Sequence, residues 1–276
     1  MTRRLEAILD HAGEYAGAVG TTQCLEPSVN LSFLLALINS VVLGWFYDAM
    51  FGALKLAGGY HSVGVPQVSF LPIRRINFTT AEKERKQLLE QGKGLYQEYL
   101  QSQDWDKALA FVAQCLPQKA DGTPDTEHER SDVVHDLLAF LAEEMTRLHK
   151  EKQTEIKGFL NWLEAYLGVS VEELKNKTKI KEYYKAEVGW EGFRDALEQN
   201  RKAVQLSKDI DVSRREPQET IRAEFDPSVA KLRPVLERIK LTDKLIDQIV
   251  YKLYGLTDAE IAIVEGQQSH DTAAQN

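Results

Sequence analysis

The chain has 276 residues, of which 43% are hydrophobic and 28% are charged, and its formal net charge at pH 7 is −8. This length and composition suit one large domain or two modest domains with a hydrophobic core. The acidic balance argues against a protein that coats nucleic acid non-specifically, because such a protein needs a broad basic surface. The two cysteines, Cys24 and Cys115, lie far apart and form no CxxC pattern. We therefore expect neither a disulfide framework nor a metal site, and we expect a reducing, cytoplasmic location.

Residues 1–28 give no clear structural pattern, and their acidic side chains precede any apolar run, which differs from a signal peptide. An apolar helix is predicted from Asn30 to Leu56. Its apolar part, Leu31 to Phe51, is long enough for the roughly 20 residues of a membrane span. Because Asn39, Ser40 and Asp48 interrupt it, we predict a helix buried in protein and no membrane partner.

One stretch favours β structure. Residues 60–73 contain β-branched and aromatic residues among Gly64, Pro66 and Pro72, which predicts extended or strand structure with bends. All later segments have helical patterns or loop composition. The predicted fold class is therefore mainly α with a small α/β element near the N-terminus.

After Thr79 the helical signals dominate. Thr79 and Glu82 have the spacing of a capping box, and a second helix is predicted from Asp104 to Cys115. Residues 117–130 are polar and contain glycine and two prolines, which predicts a loop.

The longest predicted helix is coiled-coil-like; it begins with Ser131 as its cap and ends at Gly168. Lys152 interrupts its apolar stripe. The stripe consists of Val134, Leu138, Leu141, Met145, Leu148, Ile156, Phe159, Leu163 and Tyr166.

A C-terminal helical pair is predicted at 227–240 and 242–254, with Thr242 as the cap of the second helix. Gly255 is expected to be left-handed, and Thr257 with Glu260 predicts a capping box for another short helix. The predicted domains are a partial recognition segment at 1–78, a helical region at 79–265 and a disordered polar tail at 266–276.

Three groups of residues carry a resemblance to a known family. They are Leu34-Leu-Ala-Leu-Ile-Asn-Ser with Gly58-Gly-Tyr60, then Leu71-Pro-Ile-Arg-Arg-Ile-Asn-Phe-Thr-Thr, then the pair 131–142 and 242–264. In this order they resemble the C-terminal part of type IIG restriction–modification enzymes and related site-specific adenine DNA methyltransferases. The resemblance covers roughly residues 30–265 and implies the end of a TaqI-like target recognition domain followed by a helical region.

The catalytic motifs of that family do not occur here. Its Asn/Asp-Pro-Pro-Tyr/Phe motif, which holds the flipped adenine, has only Asp226-Pro-Ser-Val as its nearest string. We predict Asp226 to be a helix cap with Pro227 in the first turn. No glycine-rich loop follows a strand to hold S-adenosylmethionine, the cofactor of the parent family. We therefore assign no catalytic, cofactor-binding or metal-binding residue and expect no catalysis by this chain alone.

Two basic clusters are candidates for contact with duplex DNA, because arginine and lysine bind phosphates and base edges. The first is Arg74-Arg75 with Lys83, Arg85 and Lys86 a turn or two later, and the second is Lys175, Lys177, Lys179, Lys181 and Lys185. The second cluster has Tyr183 and Tyr184 nearby as possible stacking residues and Glu182 as its nearby acid. A solvated surface is an equally good reading of both clusters. The candidate DNA-binding residues are Tyr60, Arg74, Arg75, Lys175, Lys177, Lys179 and Lys181.

Two functions therefore stay open from the sequence. The chain is either a non-catalytic fragment that contributes DNA target recognition or subunit contacts to a separately encoded methyltransferase half, or a helical protein-interaction module or decayed gene fragment with little DNA affinity. In both cases weak binding to duplex DNA is the most that we expect from the isolated chain.

Overall fold

A computed structural model describes residues 5–10, 30–54 and 63–273. Within these ranges the chain is mainly α-helical, as predicted, and its β structure is limited to one isolated antiparallel bridge between Gln118 and Pro124. The helices are α1 (Leu31–Asn39), α2 (Val41–Phe51), α3 (Val65–Ser69), α4 (Glu82–Ser102), α5 (Asp106–Cys115), α6 (Ser131–Leu167), α7 (Lys177–Lys181), α8 (Gly189–Glu198), α9 (Arg201–Lys208), α10 (Arg215–Tyr254) and α11 (Asp258–Ala273), with 3-10 turns at Gly52–Leu54 and Val171–Glu173.

The predicted α/β element near the N-terminus is wrong for the described residues. Val65–Ser69 forms the short helix α3 after an extended Gly64, and Pro66 lies in its first turn, where a missing N–H costs nothing. Residues 72–79 are non-helical, but no described strand lies beside them to form a ladder.

The predicted apolar helix is two helices. Asn30 caps α1 by accepting hydrogen bonds from Ser32 N (2.7 Å) and Phe33 N (3.1 Å). Ser40 then breaks the chain with an extended backbone, and its hydroxyl donates to the Leu37 carbonyl at 2.6 Å. The two helices are bent by 63°. Among the described residues no single helix is long and apolar enough to cross a membrane, and only this bent pair passes that test by length and composition.

The chain divides into two compact units. Unit 1 comprises Met1–Thr146 and Leu241–Asn276, and unit 2 comprises Arg147–Lys240. The predicted domain boundary at residue 78 follows the resemblance rather than packing and stays a prediction. The predicted disordered tail also stays a prediction; α11 extends to Ala273 and includes part of it.

The core of unit 1 is built from α1, α2, α4, α5, the first part of α6, the last part of α10 and α11, which contributes Val264. The predicted stripe of α6 supplies Val134, Leu138 and Leu141, each with 0% of its surface exposed. From α10, Leu245, Ile249 and Leu253 pack into the same core.

The core of unit 2 is rich in aromatic rings. Phe159 of α6 lies with its ring centroid 4.3 Å from that of Tyr183 and 5.8 Å from that of Phe193. Phe225 of α10 closes this cluster, with its ring centroid 5.0 Å from that of Phe193. The buried Tyr183 hydroxyl has a polar partner, Ser228 Oγ, at 2.6 Å.

The predicted break between Lys240 and Thr242 is absent, because α10 is continuous and carries two internal prolines, Pro227 and Pro234. Thr242 is fully buried, and its hydroxyl lies 2.8 Å from the hydroxyl of Tyr96. Asp226 is likewise inside the helix and pairs with Arg222 at 3.2 Å. An internal proline costs about 3 kcal/mol, and the apolar burial along α10 offsets that cost.

The predicted ends of the helices are partly right. Gly255 is left-handed at φ +67°, and Thr257 and Glu260 form the capping box, with Thr257 N donating to Glu260 at 2.8 Å. The capping box at Thr79 and Glu82 is wrong, because Ala81 occupies the N-cap of α4. The Ser131 hydroxyl is buried without a hydrogen-bond partner among the described residues, so it is not a cap.

Leu138→Asp should lower the free energy of unfolding by several kcal/mol, because it places an unpaired charge in the unit 1 core. Lys181→Ala should cost roughly 0.5 kcal/mol or less, since Lys181 pairs with an exposed Glu172. Thermal melts of both variants measure the difference. Equal melting temperatures would mean that Leu138 faces water.

Candidate functional site

The segment from Leu71 to Thr80, which we call the strap, carries the first basic cluster. The Arg74 guanidinium donates to the Glu129 carboxylate and to the Leu253 carbonyl. The Glu129 side chain is only 4% exposed and the Arg74 side chain 18%. A buried carboxylate needs a charged partner, and Arg74 supplies it.

The end of the strap is held by a second buried carboxylate. Asp132, at the start of α6, accepts from Thr80 N at 2.9 Å, from Thr80 Oγ1 at 2.7 Å and from Val133 N at 2.9 Å. These bonds explain why Thr80 takes no part in capping α4. Asp132 therefore fixes the strap to the first turn of α6.

The beginning of the strap is held by α10. The Tyr254 hydroxyl donates to the Pro72 carbonyl at 2.7 Å. Burial raises the pKa of Tyr254 to about 12, and the backbone N–H of Arg74 opposes that rise. We call the set Arg74, Thr80, Glu129, Asp132 and Tyr254 the polar lock.

The polar lock limits which residues of the first candidate cluster can contact DNA. Arg74 is committed to intramolecular bonds, so a DNA contact would require breaking them. Arg75 is exposed, and no described residue pairs with its side chain. Tyr60 lies outside the described residues. Of the two adjacent arginines, Arg75 is thus the one that is available to a ligand.

A buried histidine lies next to the lock. His135 Nδ1 is 2.8 Å from Asp136, and its ring lies between Phe33 (4.5 Å) and Phe78 (5.1 Å). Its Nε2 has no hydrogen-bond partner within the described ranges. His135 is 4% exposed, so a substrate cannot reach it. Among the described residues no group of three or more His, Cys, Asp or Glu side chains is arranged to hold a metal ion.

The second candidate cluster is partly neutralised. Glu182, the acid that the sequence indicated, pairs with Lys185 at 2.8 Å, and Glu172 pairs with Lys177 at 3.1 Å and also with Lys181. Hydrogen bonds from Lys181 and Lys177 hold the pKa of Glu172 below its usual value. Lys175 and Lys179 are exposed, and their ammonium groups have no partner in the described part of the chain.

The proposed stacking role of Tyr183 is wrong, because its ring is 1% exposed inside the unit 2 core. Tyr184 is half-buried and meets Tyr183 edge to face at 5.7 Å. Because the two tyrosines are adjacent in the turn that follows α7, their spacing in the sequence could not reveal which ring faces the core.

Unit 2 also has an open groove of about 560 Å³ between α6 and α10. Two of its three basic side chains are paired, Arg147 with Glu151 at 3.3 Å and Lys231 with Glu155 at 3.5 Å, and Lys150 is the third. Leu232 and Val235 form its apolar part.

The sequence interpretation missed a set of exposed apolar side chains in unit 1, which we call the apolar rim: Ile8 (72% exposed), Met50 (56%), Val65 (68%) and Phe70 (64%). The Phe70 ring centroid lies 6.3 Å from that of Phe51, which packs against a small cluster in which Leu5, Tyr47 and Leu71 are buried. The other three lie within a few residues of members of that cluster along the chain. A signal for this was present, since Asp48 is the only charged residue in residues 30–54 and 63–73.

Comparison with known proteins gives one partial similarity. A family model described as a domain of unknown function (DUF8810) matches residues 131–250, from the start of α6 nearly to the end of α10. No curated protein and no solved structure matches the chain.

Arg74→Ala should lower the free energy of unfolding by about 2 kcal/mol or more, because it leaves Glu129 as an unpaired buried carboxylate. Arg75→Ala, the adjacent exposed control, should change it by roughly 0.5 kcal/mol or less. Chemical denaturation of both variants gives the comparison. If both variants unfold at the wild-type denaturant concentration, Arg74 does not hold the strap.

Proposed function

We propose that this chain is a non-catalytic module of a site-specific adenine-N6 DNA methyltransferase or type IIG restriction system. It contributes subunit contacts to a separately encoded methyltransferase half that carries the Asn-Pro-Pro-Tyr motif and binds S-adenosylmethionine. The linked resemblance across residues 30–265 supports the system, and the apolar rim supports the mode of action. The cytoplasmic location expected from the composition belongs to the same proposal.

The apolar rim is the observation that favours subunit contacts over DNA recognition as the function of this chain. Monomeric proteins seldom expose several large apolar side chains around a thin core cluster, and such surfaces mark interaction sites. Subunit interfaces that persist are depleted of charge at their centre. Residues 30–54 and 63–73 meet that condition, with Asp48 as their only charged residue.

Phe70→Ser should weaken the complex with the methyltransferase half by about tenfold or more, because large aromatic side chains dominate interface energies. Leu206→Ser is the matched control, since Leu206 of unit 2 is 89% exposed and also loses an apolar side chain. Calorimetric titration with a separately encoded methyltransferase polypeptide that carries the Asn-Pro-Pro-Tyr motif measures both. No complex with the wild-type chain, or equal loss in both variants, would refute subunit contact through the rim.

A second candidate function is weak contact with duplex DNA. The observation that favours it is the set of exposed basic side chains that have no described partner, Arg75, Lys175 and Lys179. Because the chain has a net charge of −8, its affinity for duplex DNA would depend on a few phosphate contacts. That affinity would fall steeply as the salt concentration rises.

In this second case, Arg75→Ala and Lys179→Ala should each lower the affinity for duplex DNA and reduce its dependence on salt concentration. Lys181→Ala should have a smaller effect, because Lys181 is paired with Glu172. Fluorescence anisotropy at 50 and ~200 mM salt measures both quantities. Tight, sequence-specific and salt-insensitive binding would instead indicate a complete recognition domain.

A further inference from the structure

Lys152 interrupts the apolar stripe of α6. It lies one turn after Leu148 and one turn before Ile156, which are 0% and 7% exposed, and it is itself partly buried. A partly buried ammonium group normally has a carboxylate partner, because burial removes part of its hydration. Glu155, the acid three positions later, pairs instead with Lys231 at 3.5 Å. Within the described part of the chain, the ammonium group of Lys152 has no ion pair or hydrogen bond.

Two further basic groups are neighbours of Lys152. His149 precedes it by three positions on α6, and side chains at that spacing lie next to each other on a helix. Burial lowers the pKa of His149, and the charge of Lys152 lowers it further. Burial also lowers the pKa of Lys152, and the charge of Lys185 adds to that effect. The three groups therefore repel one another when all are protonated.

The core of unit 2 places Lys185 beside α6. Tyr183, two residues before Lys185, has its ring centroid 4.3 Å from that of Phe159. Phe159 lies two turns after Lys152 on the same face of α6. Of the three basic groups only Lys185 has an acid partner, Glu182 at 2.8 Å, and this hydrogen bond raises the pKa of Lys185. A buried aromatic contact thus holds together two elements that carry one basic cluster.

We propose that His149, Lys152 and Lys185 bind the terminal phosphate group of a small ligand. Each ammonium group has three donors, and Lys185 uses one of them for Glu182. A phosphate monoester carries a charge of about −1.5 to −2 at pH 7 and has three strong acceptor oxygens. One such group therefore accepts hydrogen bonds from all three side chains and offsets their mutual repulsion.

The cluster suits a terminal phosphate better than the backbone of duplex DNA. A backbone phosphate carries one charge, and the affinity of a protein for a duplex is built from several such phosphates along an extended surface. Lys152 lies on an apolar stripe, so it presents only the end of its side chain to a ligand. A single group of higher charge makes better use of that one position.

The test uses the full chain with inorganic phosphate and needs no methyltransferase partner. NMR of the His149 ring as a function of pH should show that phosphate raises the pKa of His149, because a bound anion stabilises the protonated imidazole. Sodium chloride at the same ionic strength should raise this pKa much less, since salt screens the repulsion but supplies no acceptor at the site. The dependence on phosphate concentration gives the dissociation constant.

Three variants locate the site. Lys152→Met keeps an unbranched apolar side chain on the stripe and should raise the dissociation constant for phosphate about tenfold or more. Its melting temperature should be no lower than that of the wild type, because the variant removes a partly buried charge. Lys185→Met should also raise the constant, since the site uses both elements. Lys157→Met is the matched control on an exposed lysine of α6, and it should change the constant less than about twofold.

The proposal fails if phosphate and sodium chloride shift the His149 titration equally, because the response would then be screening alone. It also fails if Lys152→Met binds phosphate as tightly as Lys157→Met does. A response of His149 to duplex DNA without a response to inorganic phosphate would overturn the assignment to a small ligand. That result would place the cluster in a nucleic-acid interface instead.

Discussion

Unit 1 depends on the pairing of a buried carboxylate, Glu129, with the guanidinium of Arg74. A carboxylate with 4% of its side chain exposed loses most of its hydration and is tolerated only with a charged partner. The same guanidinium also binds the Leu253 carbonyl at the end of α10. One side chain of the strap thus joins the loop before α6 to the last turn of α10, and the bonds at Thr80 and Tyr254 fix the strap on either side of it.

This arrangement changes which side chains are available for the proposed functions. The polar lock removes Arg74 from the basic side chains available to DNA, and Glu172 reduces the charge of the lysine cluster in the same way. Unit 1 instead exposes the large apolar side chains of the apolar rim. These side chains support the proposal that the chain contacts another polypeptide.

The parts of the fold that the sequence predicts are those determined by neighbours along the chain. The stripe of α6, the left-handed Gly255 and the capping box at Thr257 all involve residues within a few turns of each other. Thr242 was misread because a threonine that caps a helix looks the same as one whose hydroxyl meets Tyr96, a partner 146 residues away. Likewise, the sequence Arg74-Arg75 does not distinguish the two arginines. Arg74 has partners 55 and 179 residues away, Glu129 and Leu253, whereas Arg75 has no described partner.

The strap shows why the β signal and the helical fold are compatible. The predicted β segment at 60–73 overlaps the strap only at residues 71–73. Residues 72–79 are non-helical, but a strand also needs a ladder, and none of the described residues supplies one. A double-mutant cycle on Arg74 and Glu129, measured by chemical denaturation with Arg74→Ala, Glu129→Ala and the double variant, tests the lock most directly. We expect a coupling energy of about 1–3 kcal/mol, with the double variant less destabilised than the sum of the single variants. A coupling energy within about 0.3 kcal/mol of zero would contradict the claim that this pair holds the strap to unit 1.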